Sequence, residues 1–341
     1  RPSKSRPYSI PRDNPFLNTP NAAPETWAHG FRNTWRITSD PKTGDIWVGE
    51  NGQDLWESVK RVVPGANYGW SKFEGSHPFY LERKLGPGKL TVPTFEHHHR
   101  EARSLTGGVV YHGKRHAKLQ GAYVYGDYST GKIWAGRHDG QRVVWHREIA
   151  DTTLAITAFA EDAAGNLIVV DDRSGFYSLE VNPALGRPVN FPTQLSDTGL
   201  FRNTPNLQPA EGVRPYEVNV PHWNDGATAR HWIAVPDDEP IRFSGNRGWN
   251  APEGTVLVQN LERDGRRLET RVLTQQDGEW AGYSYLWDAN QQDATLVSAK
   301  GTRLELPKDR IWNIPSRAEC MMCHSRAAKY TLSLTELQLN R

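Results

Sequence analysis

Along the first half of the chain a glycine is followed three times by a short, largely apolar run that ends on a carboxylate: residues 44–50 (GDIWVGE), 121–127 (GAYVYGD) and 165–171 (GNLIVVD). A run of this length entered from a glycine turn predicts a half-buried strand, and its recurrence at coarse spacing predicts the blades of a β-propeller. Turn residues join each of the last two runs to a further strand. Residues 128–131 lead into 132–135, and residues 173–175 lead into 176–180, both in the manner of hairpins. Between the first two runs lies a long insertion marked by Pro64-Gly65, Gly86-Pro87-Gly88 and the consecutive His97, His98 and His99, and it reads as loop. Residues 1–181 are therefore expected to form the C-terminal blades of a propeller, with the first blades missing.

Two prolines and a glycine mark residues 182–190 as a linker. Beyond it, residues 255–258, 268–273, 280–287 and 295–297 alternate as short strands, with Asp264-Gly265 and Asp277-Gly278 as hairpin turns. Residues 191–341 are thus expected to be a β-sandwich-like domain, and the fold class of the whole chain is mainly β. Composition agrees, because 30 Gly, 23 Pro, 13 Trp and 12 Tyr in 341 residues favour turns and short strands over long helices. A charged fraction of 23% and a formal net charge of +2 point away from disorder and from a basic nucleic-acid-binding surface. No apolar run approaches the ~20 residues of a membrane span. The chain opens on Arg1, and its polar, proline-rich start through Asn21 has no apolar signal core, so it reads as a fragment.

The only two cysteines stand three apart and are followed at once by histidine: Cys320, Met321, Met322, Cys323, His324. In this CxxCH order two thiols can reach the two vinyl groups of one haem while the adjacent imidazole ligates its iron. Cys320 and Cys323 are then the covalent haem attachment points and His324 the iron ligand. A redox thiol pair or disulfide is the second reading of the motif, and a zinc site completed by histidines the third. Covalent haem attachment takes place outside the bacterial cytoplasm, so the motif implies a periplasmic or extracellular protein. Met321 and Met322 sit within the attachment loop on the side of His324. His222 and His231 are more distant candidates for the second axial ligand, and the sequence does not choose between them.

Residues 27–36 (WAHGFRNTWR), 44–53 (GDIWVGENGQ), 65–70 (GANYGW) with Glu74-Gly75, and 123–128 (YVYGDY) with 131–134 (GKIW) closely resemble the glucose/sorbosone dehydrogenase family. The resemblance covers about half the chain. It implies a six-bladed propeller carrying pyrroloquinoline quinone above its channel, with sugars or related alcohols and aldehydes as small-molecule substrates. By this resemblance Arg32 and Asn33 contact the quinone, and the backbone carbonyls of Gly52 and Gln53 hold its calcium ion. Such chemistry suits the groups, since an arginine fork matches carbonyls and carboxylates, and calcium takes oxygen ligands and polarises a carbonyl. Arg32 would act as an electrostatic clamp. The catalytic base is expected on a missing N-terminal blade, so no residue here is assigned to it.

Two departures from the family pattern bear on the quinone. Its lysine position falls near Ser129, with Lys132 close by, and Ala155-Ile156-Thr157 stands where an arginine pair is expected. Without those cations a tricarboxylate would be held less tightly. The second half resembles a domain of bacterial exported c-type cytochrome proteins, often fused behind a propeller in planctomycete-like chains. Its marks are Phe191-Pro192, residues 195–201 (LSDTGLF), Trp223 to Gly226, residues 266–271 (RRLETR) and residues 314–320 (IPSRAEC).

Two functional readings follow. In one, a quinoprotein-like propeller oxidises a sugar or alcohol and passes electrons through haem c to a downstream acceptor such as a cytochrome. In the other, a quinone-free propeller binds carbohydrate or protein, and the haem relays electrons elsewhere. The simpler roles of other conspicuous residues are structural. His97 to His99 read as a solvated loop, because adjacent side chains alternate in direction and cannot converge on one ion. Arg32 and Arg36 could pin loops, Asp127 and Asp171 could cap turns, and the tryptophans could pack blades.

Overall fold

The computed structural model describes residues 8–173, 175–183, 190–236, 239–244, 248–276, 279–324 and 330–339. The turn expected at Asp277-Gly278, the centre of the 173–175 turn and most of the expected linker lie outside the described residues. The chain divides into two compact units, Arg1–Pro183 and Ala184–Arg341.

In the first unit the three glycine-led runs are strands, and each belongs to its own antiparallel sheet. The strands are β1 (Thr34–Ser39), β2 (Ile46–Glu50), β3 (Trp56–Arg61), β4 (Phe73–Glu74), β5 (His77–Pro78), β6 (Phe95–His98), β7 (Leu105–Val110), β8 (Tyr123–Asp127), β9 (Lys132–His138), β10 (Val143–Asp151), β11 (Ile156–Glu161), β12 (Leu167–Asp171) and β13 (Gly175–Ser178). They pair as β1-β2-β3-β6, β10-β9-β8-β7 and β11-β12-β13, with β4 and β5 a small separate hairpin.

Alternation of side chains explains how the sheets stack. On β8, Tyr123 and Tyr125 join Trp47, Val59 and Phe95 of the first sheet in one buried cluster. Val124 between them joins Ile156, Phe159, Leu167 and Val169 of the third sheet in another. The middle sheet is therefore covered on both faces, as a propeller blade between two neighbours must be, and all five residues of β8 are buried.

The insertion after β3 departs from the expected loop, because residues 95–98 return to pair with β3 as the fourth strand of the first sheet. Strand alternation turns His97 inward, where only 2% of it is exposed. Its Nε2 lies 2.8 Å from the Tyr125 hydroxyl, which is in turn 2.6 Å from Nε2 of His146. The histidine run is not a solvated loop. Its side chains do diverge, since His98 packs edge-on against Trp56 and His99 bonds Glu57 at 2.9 Å.

Burial holds the His146 imidazole down to about 4 from its ordinary 6.5, and the neighbouring His97 adds to the effect while Glu101 opposes it. Between those two values the unfolded chain binds a proton at this position that the folded one refuses, so stability falls as pH drops through the window. Urea unfolding at about pH 7 and about pH 5 is expected to show a smaller acid-induced loss for His146→Gln than for the unsubstituted protein. Equal losses would mean that His146 titrates freely.

The second unit adds β14 (Phe201–Asn203), β15 (Gln208–Pro209), β16 (Val213–Tyr216), β17 (Thr228–Ala234), β18 (Arg242–Ser244), β19 (Gly248–Asn250), β20 (Val256–Arg263), β21 (Arg266–Gln276), β22 (Glu279–Trp287), β23 (Ala294–Leu296), β24 (Thr302–Leu306) and β25 (Arg310–Ile314). Two short helices follow, α1 (Arg317–Cys323) and α2 (Glu336–Leu339). In place of a two-sheet sandwich there is one six-stranded antiparallel sheet, β16-β17-β20-β21-β22-β23, with small hairpins beside it.

Both faces of that sheet are apolar, so each needs a cover. Trp232, Val258, Val272 and Tyr285 pack against Leu195, Leu200, Phe201 and Leu207 from the start of the unit. On the opposite face Leu257 and Leu273 meet Leu334 and Met321, while Leu261 and Leu268 meet Trp312 and Ile314 of the β25 hairpin. Irregular chain, the helix α1 and a hairpin thus replace the second sheet.

Candidate functional site

The residues to which the family resemblance gives quinone and calcium roles converge at the end of β2. Arg32 donates from Nε and Nη2 to Gln53 Oε1 at 3.1 and 2.8 Å, and from Nη1 to the Asn51 carbonyl at 3.1 Å. Its guanidinium carbon lies 5.7 Å from the centre of the Trp70 ring. Asn33 is exposed beside it, its Nδ2 3.5 Å from Asn51 Oδ1.

Three buried carboxylates shape the 51–55 turn from within. Glu57 accepts from Asn51 Nδ2 at 2.7 Å, Gly52 N at 3.2 Å and Leu105 N at 2.8 Å. Glu74 accepts from the amides of Gln53, Asp54 and Leu55, the last two at 2.6 and 3.2 Å. Glu50 takes the Arg32 amide at 2.6 Å and forms a buried ion pair with Lys60. With the amides drawn inward, the carbonyl oxygens of Gly52 and Gln53 receive no hydrogen bond among the described residues. Unpaired carbonyls are the donors a hard cation takes.

Gly52 has to be glycine here. A Cβ would stand 1.9 Å from the Trp56 carbonyl oxygen and 2.6 Å from Glu74 Oε1.

In the second unit Cys320, Met322, Cys323 and His324 line a cavity of about 430 Å³ together with Tyr216, His222, Trp223, His231, Leu257, Arg271 and Leu273. A capping box starts α1: the Glu319 amide donates to Ser316 Oγ at 3.1 Å, and Glu319 Oε2 accepts from the Ser316 amide at 2.8 Å. Such a box fixes the first turn of a short helix, and here the next residue is Cys320. Gly282 on β22 lets that helix approach, since a Cβ there would lie 2.6 Å from Cys320 Cβ. Burial pushes the Cys320 thiol up to about 11, and Cys323 is exposed.

His324 ends the helix with Nδ1 2.6 Å from the Tyr330 carbonyl oxygen. A carbonyl only accepts, so Nδ1 carries the proton and Nε2 keeps its lone pair for a metal. Burial also lowers the basicity of this ring, which favours the neutral, ligating form.

Comparison with known proteins bears on the first unit. The glucose/sorbosone dehydrogenase family model matches residues 6–177. The chain belongs to this family. HIPL1 protein of Arabidopsis thaliana is 36% identical over 143 residues, 38% of this chain and 20% of the relative. The human hedgehog-interacting protein is 32% identical over 132 residues, 36% of this chain and 16% of the relative. Aldose sugar dehydrogenase YliI of Escherichia coli is 34% identical over 61 residues, 18% of this chain and 16% of the relative. The chain thus spans a fifth or less of the length of these relatives. A crystal structure of glucose dehydrogenase aligns at a TM-score of 0.43 and 23% identity, over 51% of this chain and 52% of that one. The apo-form of the E. coli soluble aldose sugar dehydrogenase aligns at 0.38 and 22%, over 49% of each chain.

Set against the family pattern, some expected groups lie elsewhere. Lys132 is held at 2.7 Å by Glu148 and at 3.7 Å by Asp151. The Ser129 amide donates to Asp127 at 3.0 Å, which makes Asp127 the turn cap expected of it. Ala155 and Ile156 are buried in the core, and Thr157 bonds the Val170 carbonyl at 3.2 Å. Arg36 reaches the Phe159 carbonyl at 2.7 Å, pinning a neighbouring sheet.

Sequence reasoning missed Glu57 and Lys60 and gave Glu50 and Glu74 no role in the site. The available signal was a set of carboxylates at strand ends around a turn with amides to satisfy. Among the described residues no cluster of three or more His, Cys, Asp or Glu side chains could hold a metal ion.

Proposed function

We propose that the chain is part of an exported sugar- or alcohol-oxidising dehydrogenase, in which the propeller unit forms a cofactor rim and the second unit carries haem c. The observation that carries the redox assignment is the cavity lined by both thiols and by His324, whose Nδ1 is committed to Tyr330. Tyr216, Leu257, Leu273 and Tyr283 make its walls apolar enough for a porphyrin, and Arg271 supplies a cation for a propionate. Cys320 and Cys323 are the attachment points and His324 the iron ligand in this reading.

Family membership supports the dehydrogenase part. At the rim, Arg32 and Asn33 offer donors to an anionic quinone, and the Gly52 and Gln53 carbonyls offer oxygen to a calcium ion. When bound, calcium and pyrroloquinoline quinone would supply carbonyl polarisation and a two-electron acceptor. The chain's own contribution is orientation: Glu57 and Glu74 hold the 51–55 turn, and Arg32 is fixed against it before any ligand arrives. Placing haem in the same chain raises the effective concentration of a one-electron acceptor near the donor.

A second reading, a propeller that binds without catalysis, is favoured by Lys132, whose ammonium is neutralised by Glu148 and Asp151, and by the buried Ala155 and Ile156. The full-length protein, made with cytochrome c maturation and supplied with calcium and quinone, separates the two. Sugar-dependent reduction of the haem bands is the expected result. Haem bands that never respond to any sugar or alcohol would leave the binding reading, and colourless protein would remove the redox assignment.

A further inference from the structure

The cavity beside the thiols also receives imidazoles that the reading above leaves unused. An iron held by His324 would need a second ligand from the rest of the cavity lining, whose other imidazoles are His222 and His231. Met322 also lines the cavity, but it sits on α1 between the two cysteines, so thioether attachment at both would hold it beside His324 and away from the opposite face.

His231 belongs to the sheet. It is 8% exposed on β17, its Nε2 is 3.2 Å from Gln259 Nε2, and its ring packs 5.4 Å from that of Tyr216. His222 differs in each respect. It lies on the segment joining β16 to β17, is exposed, and its imidazole makes no hydrogen bond, ion pair or ring contact among the described residues.

The segment is nevertheless anchored. The Asn219 amide donates to the Gln338 carbonyl at 2.8 Å, and Gln338 Nε2 donates to the Val220 carbonyl at 3.3 Å, two residues before His222. His222 lines the same cavity as His324 and His231. It is an uncommitted nitrogen donor, held by α2 at a cavity that already contains the other three attachment groups.

We propose that His222 is the second axial ligand, giving a six-coordinate, low-spin bis-histidine haem. The inference rests on the haem reading of the CxxCH cavity. With both axial positions filled by protein nitrogen, the iron has no open site for a substrate, and it serves electron transfer alone.

The test uses the full-length protein with haem attached, read by absorption and electron paramagnetic resonance spectra, with attachment itself read separately by mass and by haem stain after denaturation. Unsubstituted protein is expected to be low-spin, and His222→Ala to lose the low-spin signal and regain it when free imidazole is added. His222→Met should stay low-spin with a new thioether-to-iron absorption, and His231→Asn should keep the original spectrum. A high-spin unsubstituted protein, or a spin change in His231→Asn but not in His222→Ala, overturns the inference while leaving the haem intact. Absence of attached haem overturns it together with the reading beneath it.

Discussion

Glu50→Ala is expected to destabilise the propeller unit by about 3–5 kcal/mol, the range for removing one partner of a buried ion pair. Lys60 is 2% exposed, and burial pulls its ammonium below the ordinary range, with Glu50 opposing that pull. Without Glu50, the hydrogen-bond acceptor left at its ammonium among the described residues is Ser58 Oγ at 2.8 Å, with the Phe31 and Tyr68 rings at 5.7 and 5.4 Å. The Arg32 amide loses its acceptor as well. Well-packed apolar replacements of both charges avoid an orphaned ion, so Glu50→Leu combined with Lys60→Met should recover most of the loss. Urea unfolding of the single and double variants gives the comparison. A loss below about 1 kcal/mol for Glu50→Ala, the scale of an exposed pair, would show that water reaches Lys60.

Gly52→Ala is expected to abolish any calcium response of the rim. The added methyl would press on the Trp56 carbonyl, a backbone atom that cannot swing aside, and on the Glu74 carboxylate that organises the turn. Forcing that turn open costs about 1–3 kcal/mol by overpacking and displaces the carbonyls of Gly52 and Gln53. A cation that binds only the folded protein raises its thermal midpoint. Calcium should therefore raise the midpoint of the unsubstituted protein and leave that of Gly52→Ala unchanged. Gln53→Ala keeps its backbone carbonyl and should retain the shift, although Arg32 loses an acceptor. Persistence of the calcium shift in Gly52→Ala would remove the cation from this turn.

Strands bounded by glycine turns were legible because a short apolar run between turn residues leaves a local trace, and β2, β8 and β12 fall on the three glycine-led runs, although β8 is buried throughout instead of half-buried. β6 left no such trace. Two of its four residues are His97 and His98, and buried His97 is met by the Tyr125 hydroxyl, far along the chain, which His146 bonds in turn. The single sheet of the second unit was misread as a sandwich for a related reason. Apolar residues on both faces of a strand announce two covers without revealing whether a cover is a sheet, a helix or irregular chain.

For the candidate sites, residue identity was legible and assembly was not. Arg32, Asn33, Gly52 and Gln53 could be picked out by resemblance, but the carboxylates that hold them form their bonds mainly with backbone amides, which no side-chain pattern encodes. Likewise, the CxxCH motif names its own thiols and imidazole. The cavity that receives them is made by residues up to about a hundred positions earlier in the chain, with no local signature beyond His222 and His231 themselves.

The two-sided burial of β8 carries a consequence for fidelity of assembly. A slip of one position would push two tyrosine rings toward Phe159 and Val169, and would leave a lone valine facing Trp47 and Phe95. One neighbour would be overfilled and the other hollow, so the error could not be absorbed by solvent as it can on a half-exposed strand. The middle blade thereby acts as a gauge that its two neighbours read simultaneously, and an exchange of tyrosine and valine within this strand is felt on both sides at once.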